Sequence, residues 1–210
     1  MKPLIIVGAG GHGQEVVWLA QRCNRIIRGF LDDTVDKLDK SYLGVQVLGP
    51  IDHYEQYLDC EFIVAIGNCR YRSKLVNKLE SNPNISFATL IDPQSIIGCR
   101  SVIGSGSMIC AGSILTVDVD IGRHCIVNVN ASISHGCKIG NFSTIAPNAS
   151  ISGDVVLEDK VEVGANAVIK EKVIIGKGTL IGMGAVVVKD IDQNNVMIGN
   201  PAKLLKKLDY

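Results

Sequence analysis

A six-residue repeat runs without insertion or deletion from Ile91 to Asp192 and spans seventeen hexads. The first position of every hexad is Ile, Leu or Val, and the fifth is Ser, Ala, Cys, Thr, Val or Ile. A period of six does not fit a helix, but it fits short strands separated by turns. Three hexads form one triangular coil, so the repeat predicts a stack of between five and six coils with a continuous aliphatic core.

The second position of the hexad is often glycine, and we expect these glycines to form tight corners with a left-handed backbone conformation. They are Gly98, Gly104, Gly122, Gly140, Gly164, Gly176 and Gly182. A corner residue points outward from such a coil, so chemistry on this prism is expected at its corners.

The first ninety residues alternate short apolar runs with helical patterns, which predicts a small parallel sheet with crossover helices. We expect strands over 4–7, 26–31, 61–66 and 85–90, and helices after the first strand and over about 70–80. The predicted organisation is therefore an α/β domain over 1–90, a stack of coils over 91–192 and a tail over 193–210. The tail is expected to form a short helix or strand that docks on the prism.

A glycine-rich segment, Gly8-Ala9-Gly10-Gly11-His12-Gly13, lies between the first strand and the first helix. This is the G-x-G-x-x-G fingerprint of Rossmann-like domains, in which the backbone and a helix N-terminus approach a phosphate. A full NAD site needs two mononucleotide halves, and this domain has room for about one. A nucleoside diphosphate is therefore favoured over NAD, and a glycine turn without a ligand remains the alternative.

The expected substrate contacts follow from that placement. Phosphates would lie near the glycine loop, an acid after the second strand would contact the sugar or base, and the end of the next strong strand would form the facing lip. These residues are Gly10, Gly11, His12 and Gly13 for the phosphates, Asp32 and Asp33 for the sugar or base, and Gly67 and Asn68 for the lip.

The composition argues against some classes of binding partner and indicates the cellular compartment. The formal net charge is zero, which argues against electrostatic binding to nucleic acid or to an anionic membrane. The seven cysteines form no C-x-x-C pair and are typical of a reducing cytosol. The first apolar run is too short for a signal peptide, and no stretch reaches transmembrane length, so we expect a cytoplasmic protein without membrane insertion.

Only four histidines occur, at positions 12, 53, 124 and 135. An imidazole supplies a general base near neutral pH. Both His124 and His135 fall at corners of the predicted prism, and His135 lies at the third position of its hexad, where a second subunit could meet it.

Several segments together resemble one family of enzymes. They are the glycine-rich start, the strand ending in Asp32-Asp33, the turn Ala65-Ile66-Gly67-Asn68, the segment from Asn128 to Pro147, and Ile198-Gly199-Asn200-Pro201-Ala202-Lys203. In this order they resemble the bacterial nucleotide-sugar N-acetyltransferases that act on 4-amino-deoxy sugars, and their relatives the sialic acid O-acetyltransferases. The resemblance covers essentially the whole chain and implies a left-handed parallel β-helix for the repeats.

The resemblance also implies a homotrimer with active sites between subunits, a nucleotide-linked amino sugar bound by the N-terminal domain, and acetyl-CoA lying along the prism as the acyl donor. His135 would be the catalytic base, and Asn128 would position His135 or the substrate. The implied acetyl-CoA contacts are Thr144, Gly153, Ala165, Met183 and Lys203.

Two positions depart from the family pattern. The family carries Asp or Glu immediately after the catalytic histidine, where this chain has Gly136, and its downstream histidine falls at Thr144 here. Because stacked positions lie eighteen residues apart, Asp118 lies one coil below Gly136 and Asp154 one coil above it. We expect one of these two acids to supply the missing carboxylate.

Other functions remain open at this point. A sugar or sialic acid O-acetyltransferase would use the same fold, base and donor, and the absent acid at Gly136 allows a non-catalytic trimeric binding protein. A three-histidine zinc site of the kind found in some carbonic anhydrases would need a histidine from outside the prism, so no metal is expected.

Overall fold

The computed structural model describes residues 1–208 and divides the chain into two compact units, Met1–Pro93 and a second unit that begins at Gln94. The last two residues of the predicted 193–210 tail lie outside the described residues. Each unit has its own core.

The first unit is a five-stranded sheet with two α-helices. Its strands are β1 (Leu4–Val7), β2 (Ile27–Leu31), β3 (Ser41–Tyr42), β4 (Val45–Gly49) and β5 (Glu61–Val64), its helices are α1 (Gly11–Arg22) and α2 (Cys69–Glu80), and two 3-10 helices span Val35–Lys37 and Ile51–Tyr57. The order across the sheet is β3-β4-β2-β1-β5, and all neighbours are parallel except β3 and β4. The central strand β1 is completely buried, as a strand covered on both faces should be.

The predicted strand over 85–90 is wrong. Only one rung forms there, between Phe62 and Phe87, held by hydrogen bonds from Phe62 N to the Ser86 carbonyl and from Ala88 N to the Phe62 carbonyl. The pairing stops after this rung, and the next strand of the chain, β6, is the short Leu90–Ile91.

The second unit is the predicted prism, a parallel β-helix with three faces. Strands pair in parallel with the strand eighteen residues further on, as Ile114 does with Ser132 and Leu115 with Ile133, until the last coil, where Leu180 pairs with Val196, sixteen residues on. Face one contains Ile96–Ile97, Ile114–Leu115, Ser132–Ile133, Ser150–Ile151, Val168–Ile169 and Val186–Val187. Face two contains Val102–Ile103, Asp120–Ile121, Lys138–Ile139, Val156–Leu157 and Ile174–Ile175. Face three contains Met108–Ile109, Ile126–Val127, Thr144–Ile145, Glu162–Val163, Leu180–Ile181 and Asn195–Ile198.

The tail forms a strand rather than a helix. Lys203–Lys207 pairs antiparallel with Asn195–Ile198 at the end of face three. Inside the prism, the first and fifth positions of the hexads are buried from Ile109 onward, which confirms the predicted aliphatic core.

The expected role of the second-position glycines is wrong. The left-handed conformation occurs at the fourth position, with φ of 57° at Asp118, 59° at Asp154 and 70° at Gly136. A Cβ atom at Gly140 would lie 2.4 Å from the carbonyl carbon of Glu158, in the next coil. At Gly140 the glycine is therefore explained by the close approach of the next coil and not by a positive φ, although other hexads carry larger residues at the second position, such as Glu158.

Candidate functional site

A cavity of about 320 Å³ lies in the first unit, where β1, β2 and β5 end. Ligands in open parallel sheets bind at this edge. Six of the predicted substrate residues line the cavity, namely Gly10, Gly11, His12, Asp32, Asp33 and Gly67. The fingerprint therefore surrounds a space, and not merely a tight turn.

The N-terminus of α1 borders this cavity with its backbone donors available. Gly10 caps the helix without a side-chain hydrogen bond, and a side chain at Gly10 or Gly11 would meet nothing within 4 Å. Gly13 has a different role, because its Cβ would lie 2.0 Å from the Gly8 carbonyl oxygen. It lets the helix pack against the loop, while Gly10 and Gly11 leave open space at the N-terminus of the helix.

The two acids after β2 differ in what they can offer a ligand. Asp32 is almost buried and accepts hydrogen bonds from Ala9 N at 2.7 Å, Thr34 N at 2.8 Å and Lys37 Nζ at 2.9 Å. Burial opposes its ionisation, but hydrogen bonds from Thr34, Ala9 and Lys37 outweigh burial and lower the pKa of Asp32 to about 2. Asp32 therefore holds the loop.

Asp33 is exposed, and its Oδ1 accepts a hydrogen bond from Ile51 N at 2.8 Å. Of the two acids, Asp33 is thus the one whose carboxylate faces the solvent.

The facing lip is held by a buried arginine that the sequence did not reveal. Arg72 is fully buried in α2, and its Nη1 donates to the carbonyl oxygens of Ile66 at 2.6 Å and Gly67 at 2.9 Å. Asn68 does not line the cavity; its Oδ1 caps α2 by accepting from Tyr71 N at 2.9 Å. The guanidinium of Arg72 and the N-cap of α2 therefore hold the lip in place.

His135 lies at the corner between faces one and two, at the end of the strand Ser132–Ile133. Its side chain is 63% exposed, and its Nδ1 lies 3.9 Å from Oδ1 of Asp154, whose side chain is 50% exposed. The backbone N–H of Asp154 donates to the carbonyl oxygen of His135 at 2.8 Å. An accessible imidazole next to a carboxylate can accept a proton from a reacting group.

The second candidate acid, Asp118, is engaged elsewhere. Arg100 binds it through two hydrogen bonds, from Nε to Oδ1 at 2.6 Å and from Nη2 to Oδ2 at 2.5 Å. The guanidinium of Arg100 lowers the pKa of Asp118. Of the two acids, the structure brings only Asp154 to His135.

The other predicted residues of the prism do not gather around His135. Asn128 lies on face three, where its Oδ1 accepts from Val129 N at 2.7 Å. Thr144 and Lys203 belong to strands of the same sheet, while Ala165 and Met183 occupy the corner between faces three and one. Gly153 alone is adjacent, because a Cβ there would lie 2.5 Å from His135 Nε2.

The second corner histidine is a core residue. His124 is 1% exposed and stacks on Phe142, with ring centroids 5.3 Å apart and an angle of 7° between the rings. Within residues 1–208, no group of three or more His, Cys, Asp or Glu side chains is arranged to hold a metal ion. No helix in that part of the chain is long and apolar enough to cross a bilayer.

Two family models match the chain. The PglD N-terminal domain matches residues 3–79, and the bacterial transferase hexapeptide, with six repeats, matches residues 154–189. No curated protein sequence matches the chain.

Solved structures match over nearly the full length. PerB from Caulobacter crescentus, in complex with CoA and GDP-perosamine, is 29% identical with a TM-score of 0.89 over 98% of both chains. WeeI from Acinetobacter baumannii AYE is 31% identical with a TM-score of 0.87, over 98% of this chain and 100% of WeeI. The acetyltransferase domain of PglB from Neisseria gonorrhoeae FA1090 is 30% identical with a TM-score of 0.92, over 98% of this chain and 100% of that domain. A further structure of the PglB domain contains acetyl coenzyme A.

Proposed function

Because this chain belongs to the hexapeptide-repeat sugar N-acetyltransferases with a PglD-type N-terminal domain, we propose that it acetylates the amino group of a nucleotide-linked amino-deoxy sugar. Acetyl-CoA is the donor, as the relatives solved with CoA or acetyl-CoA suggest. The observation that carries the proposal is the accessible imidazole of His135 at a prism corner, held beside a carboxylate.

His135 acts as the general base in this proposal. The sugar nitrogen attacks the thioester carbonyl of acetyl-CoA, so that a C–N bond forms and the C–S bond breaks. The imidazole accepts the proton that the nitrogen loses and returns it to the departing thiolate. Direct transfer of this kind needs no acyl-enzyme.

The N-terminal cavity is proposed to hold the nucleotide diphosphate. Gly10 and Gly11 leave the first backbone donors of α1 open, which suits a diphosphate at a helix N-terminus. Asp33 is the acid available to the sugar or base, and the lip at Gly67 closes the opposite side. GDP-perosamine is the ligand of the Caulobacter relative. The nucleobase of the substrate of this chain is identified by comparing UDP-, GDP- and dTDP-linked sugars.

A homotrimer with shared sites accounts for the division of the predicted residues over two corners. His135 lies at one edge of face one, and Ala165 and Met183 lie at the other edge, where Met183 is 82% exposed. Within one prism, His135 is therefore separated from Ala165 and Met183 by the width of face one. Two neighbouring prisms can bring them together, if each contributes a different corner.

The decisive experiment follows thiol release from acetyl-CoA with UDP-, GDP- and dTDP-linked amino-deoxy sugars, and with free sialic acid alongside. We expect release with a nucleotide-linked amino sugar, and a loss of about 10² to 10⁴ in kcat in His135→Ala. Release with sialic acid alone would assign O-acetylation instead. Binding of acetyl-CoA without thiol release in the presence of any of these acceptors would indicate a binding protein.

A further inference from the structure

Two glycines at the His135 corner are each covered by a side chain from the neighbouring coil. A Cβ at Gly153 would lie 2.5 Å from both Cε1 and Nε2 of His135, so the imidazole leans over Gly153. A Cβ at Gly136 would lie 2.2 Å from Oδ1 of Asp154, so that carboxylate leans back over Gly136. The two side chains cross, and each occupies the space that a glycine leaves.

The backbone fixes this crossed arrangement. The hydrogen bond from Asp154 N to His135 O is the rung that joins the two coils at this corner, and it holds the two Cα atoms in register. The other charged residues of the corner are Arg100 and Asp118, which pair with each other below, Glu171 and Lys172 in the coil above, and Lys189 and Asp190 in the coil beyond it. Asp154 is therefore the carboxylate that meets the imidazole.

We propose that Asp154 is the positioning residue for His135, and that Gly136 and Gly153 are required because they seat the two crossed side chains. In the family pattern the carboxylate belongs to the residue that follows the base, whereas here it belongs to a residue in the coil above the base. It occupies nearly the same space, since Oδ1 of Asp154 lies where the side chain of residue 136 would begin. The proposal rests on the proposed role of His135 in acetyl transfer.

The distance of 3.9 Å between Nδ1 and Oδ1 is that of an ion pair and not of a hydrogen bond. Catalytic hydrogen bonds are often long without substrate and shorten in the reacting complex, where water is excluded. A small side-chain rotation of Asp154 would let Nδ1–H donate to the carboxylate, leaving Nε2 to accept the proton of the sugar amine.

The first test replaces the carboxylate alone. In Asp154→Asn we expect kcat to fall about tenfold while both KM values change by less than about twofold, because binding groups are untouched. A purely structural role for Asp154 would instead lower the melting temperature or raise both KM values together with the loss of kcat.

The second test moves the carboxylate back to the position after the base. Gly136→Asp combined with Asp154→Gly should recover most of the lost kcat, and Gly136→Asn with Asp154→Gly should not. Both substitutions suit the backbone, because position four carries non-glycine residues at φ near 60° elsewhere, including Asp118 at 57°. Equal recovery by the Asn and Asp versions would overturn the proposal.

A third measurement separates this proposal from the proposed function. The Cε1 proton signal of His135 is followed by NMR at a fixed pH, without any substrate. Its chemical shift should change in Asp154→Asn and stay in place in Asp118→Asn, because Asp154 is the acid beside the ring. A signal that does not respond to Asp154→Asn rejects the pairing, whereas absent acetyl transfer in a protein that passes this test rejects only the function.

Discussion

The Asp32 carboxylate binds three donors from the glycine loop, its own loop and Lys37. Its pKa of about 2 in the folded chain is lower than the value of 3.8 expected when the chain unfolds. A depressed pKa stabilises the folded state above pH 4, and this stabilisation is lost as the pH falls towards 2. The same residue type could have served a ligand, but here it stabilises the unit that carries the cavity.

Replacing Asp32 by Asn should therefore lower the free energy of unfolding of the first unit by about 2 kcal/mol at pH 7, because charge-assisted hydrogen bonds are lost. The fall in stability between pH 4 and 2 should also become shallower than in the wild type. Urea unfolding followed by fluorescence tests both, since the only tryptophan, Trp18, lies in α1.

The exposed neighbour Asp36 provides the matched control. Asp36→Asn should change the free energy of unfolding by less than about 0.5 kcal/mol. Equal losses in the two variants would mean that general charge, and not the bonds of Asp32, sets the stability.

At the scale of the element, the coils of the prism stack so closely that a methyl group matters. Gly140→Ala places a carbon 2.4 Å from the Glu158 backbone, where it has no flexible neighbour to displace. We expect the free energy of unfolding to fall by about 1–3 kcal/mol, as in other overpacked sites. Thermal unfolding followed by circular dichroism would measure this loss.

The control for that change is Gly184→Asn. Gly184 has φ of 65° and open space around its Cβ, and Asn130, Asn148 and Asn166 occupy the equivalent positions of lower coils. Asn tolerates this conformation, so the melting temperature should stay within a few degrees. A similar drop in both variants would refute close coil contact as the reason for glycine at the second position.

The period of the repeat was enough to predict the faces, the eighteen-residue register and the aliphatic core, because each depends on spacing along the chain. The role of Gly140 was not predictable, since spacing says nothing about the distance between coils. Register also left Asp118 and Asp154 equivalent, and the structure separates them by pairing Asp118 with Arg100 and placing Asp154 beside His135. The buried position of Arg72 was not predictable, because an arginine in a helical pattern normally faces water.

At the scale of the whole molecule, the proposed sites require more than one chain. A trimer would have a mass of about 68 kDa, three times the chain mass of 22.5 kDa, and sedimentation equilibrium would detect it. The division of His135 and Ala165 between two edges of face one offers a sharper test than mass alone.

Mixed trimers of two inactive variants should regain activity if sites are shared. Ala165→Arg blocks one corner and His135→Ala removes the base at the other, so each variant alone should be inactive. Co-expressed in equal amounts, they should show about a quarter of the wild-type kcat, because random assembly joins the intact corners in about a quarter of the sites. Sites built within one chain would show no recovery.

The strand Lys203–Lys207 has a consequence for colloidal behaviour. Within residues 1–208 it pairs on one side only, with Asn195–Ile198, and its side chains Leu204 and Leu205 are exposed. Unprotected edges of this kind seed fibres, yet lysines occupy three of the five positions of this strand. Their mutual repulsion opposes the end-to-end growth that a regular stack of coils would otherwise invite.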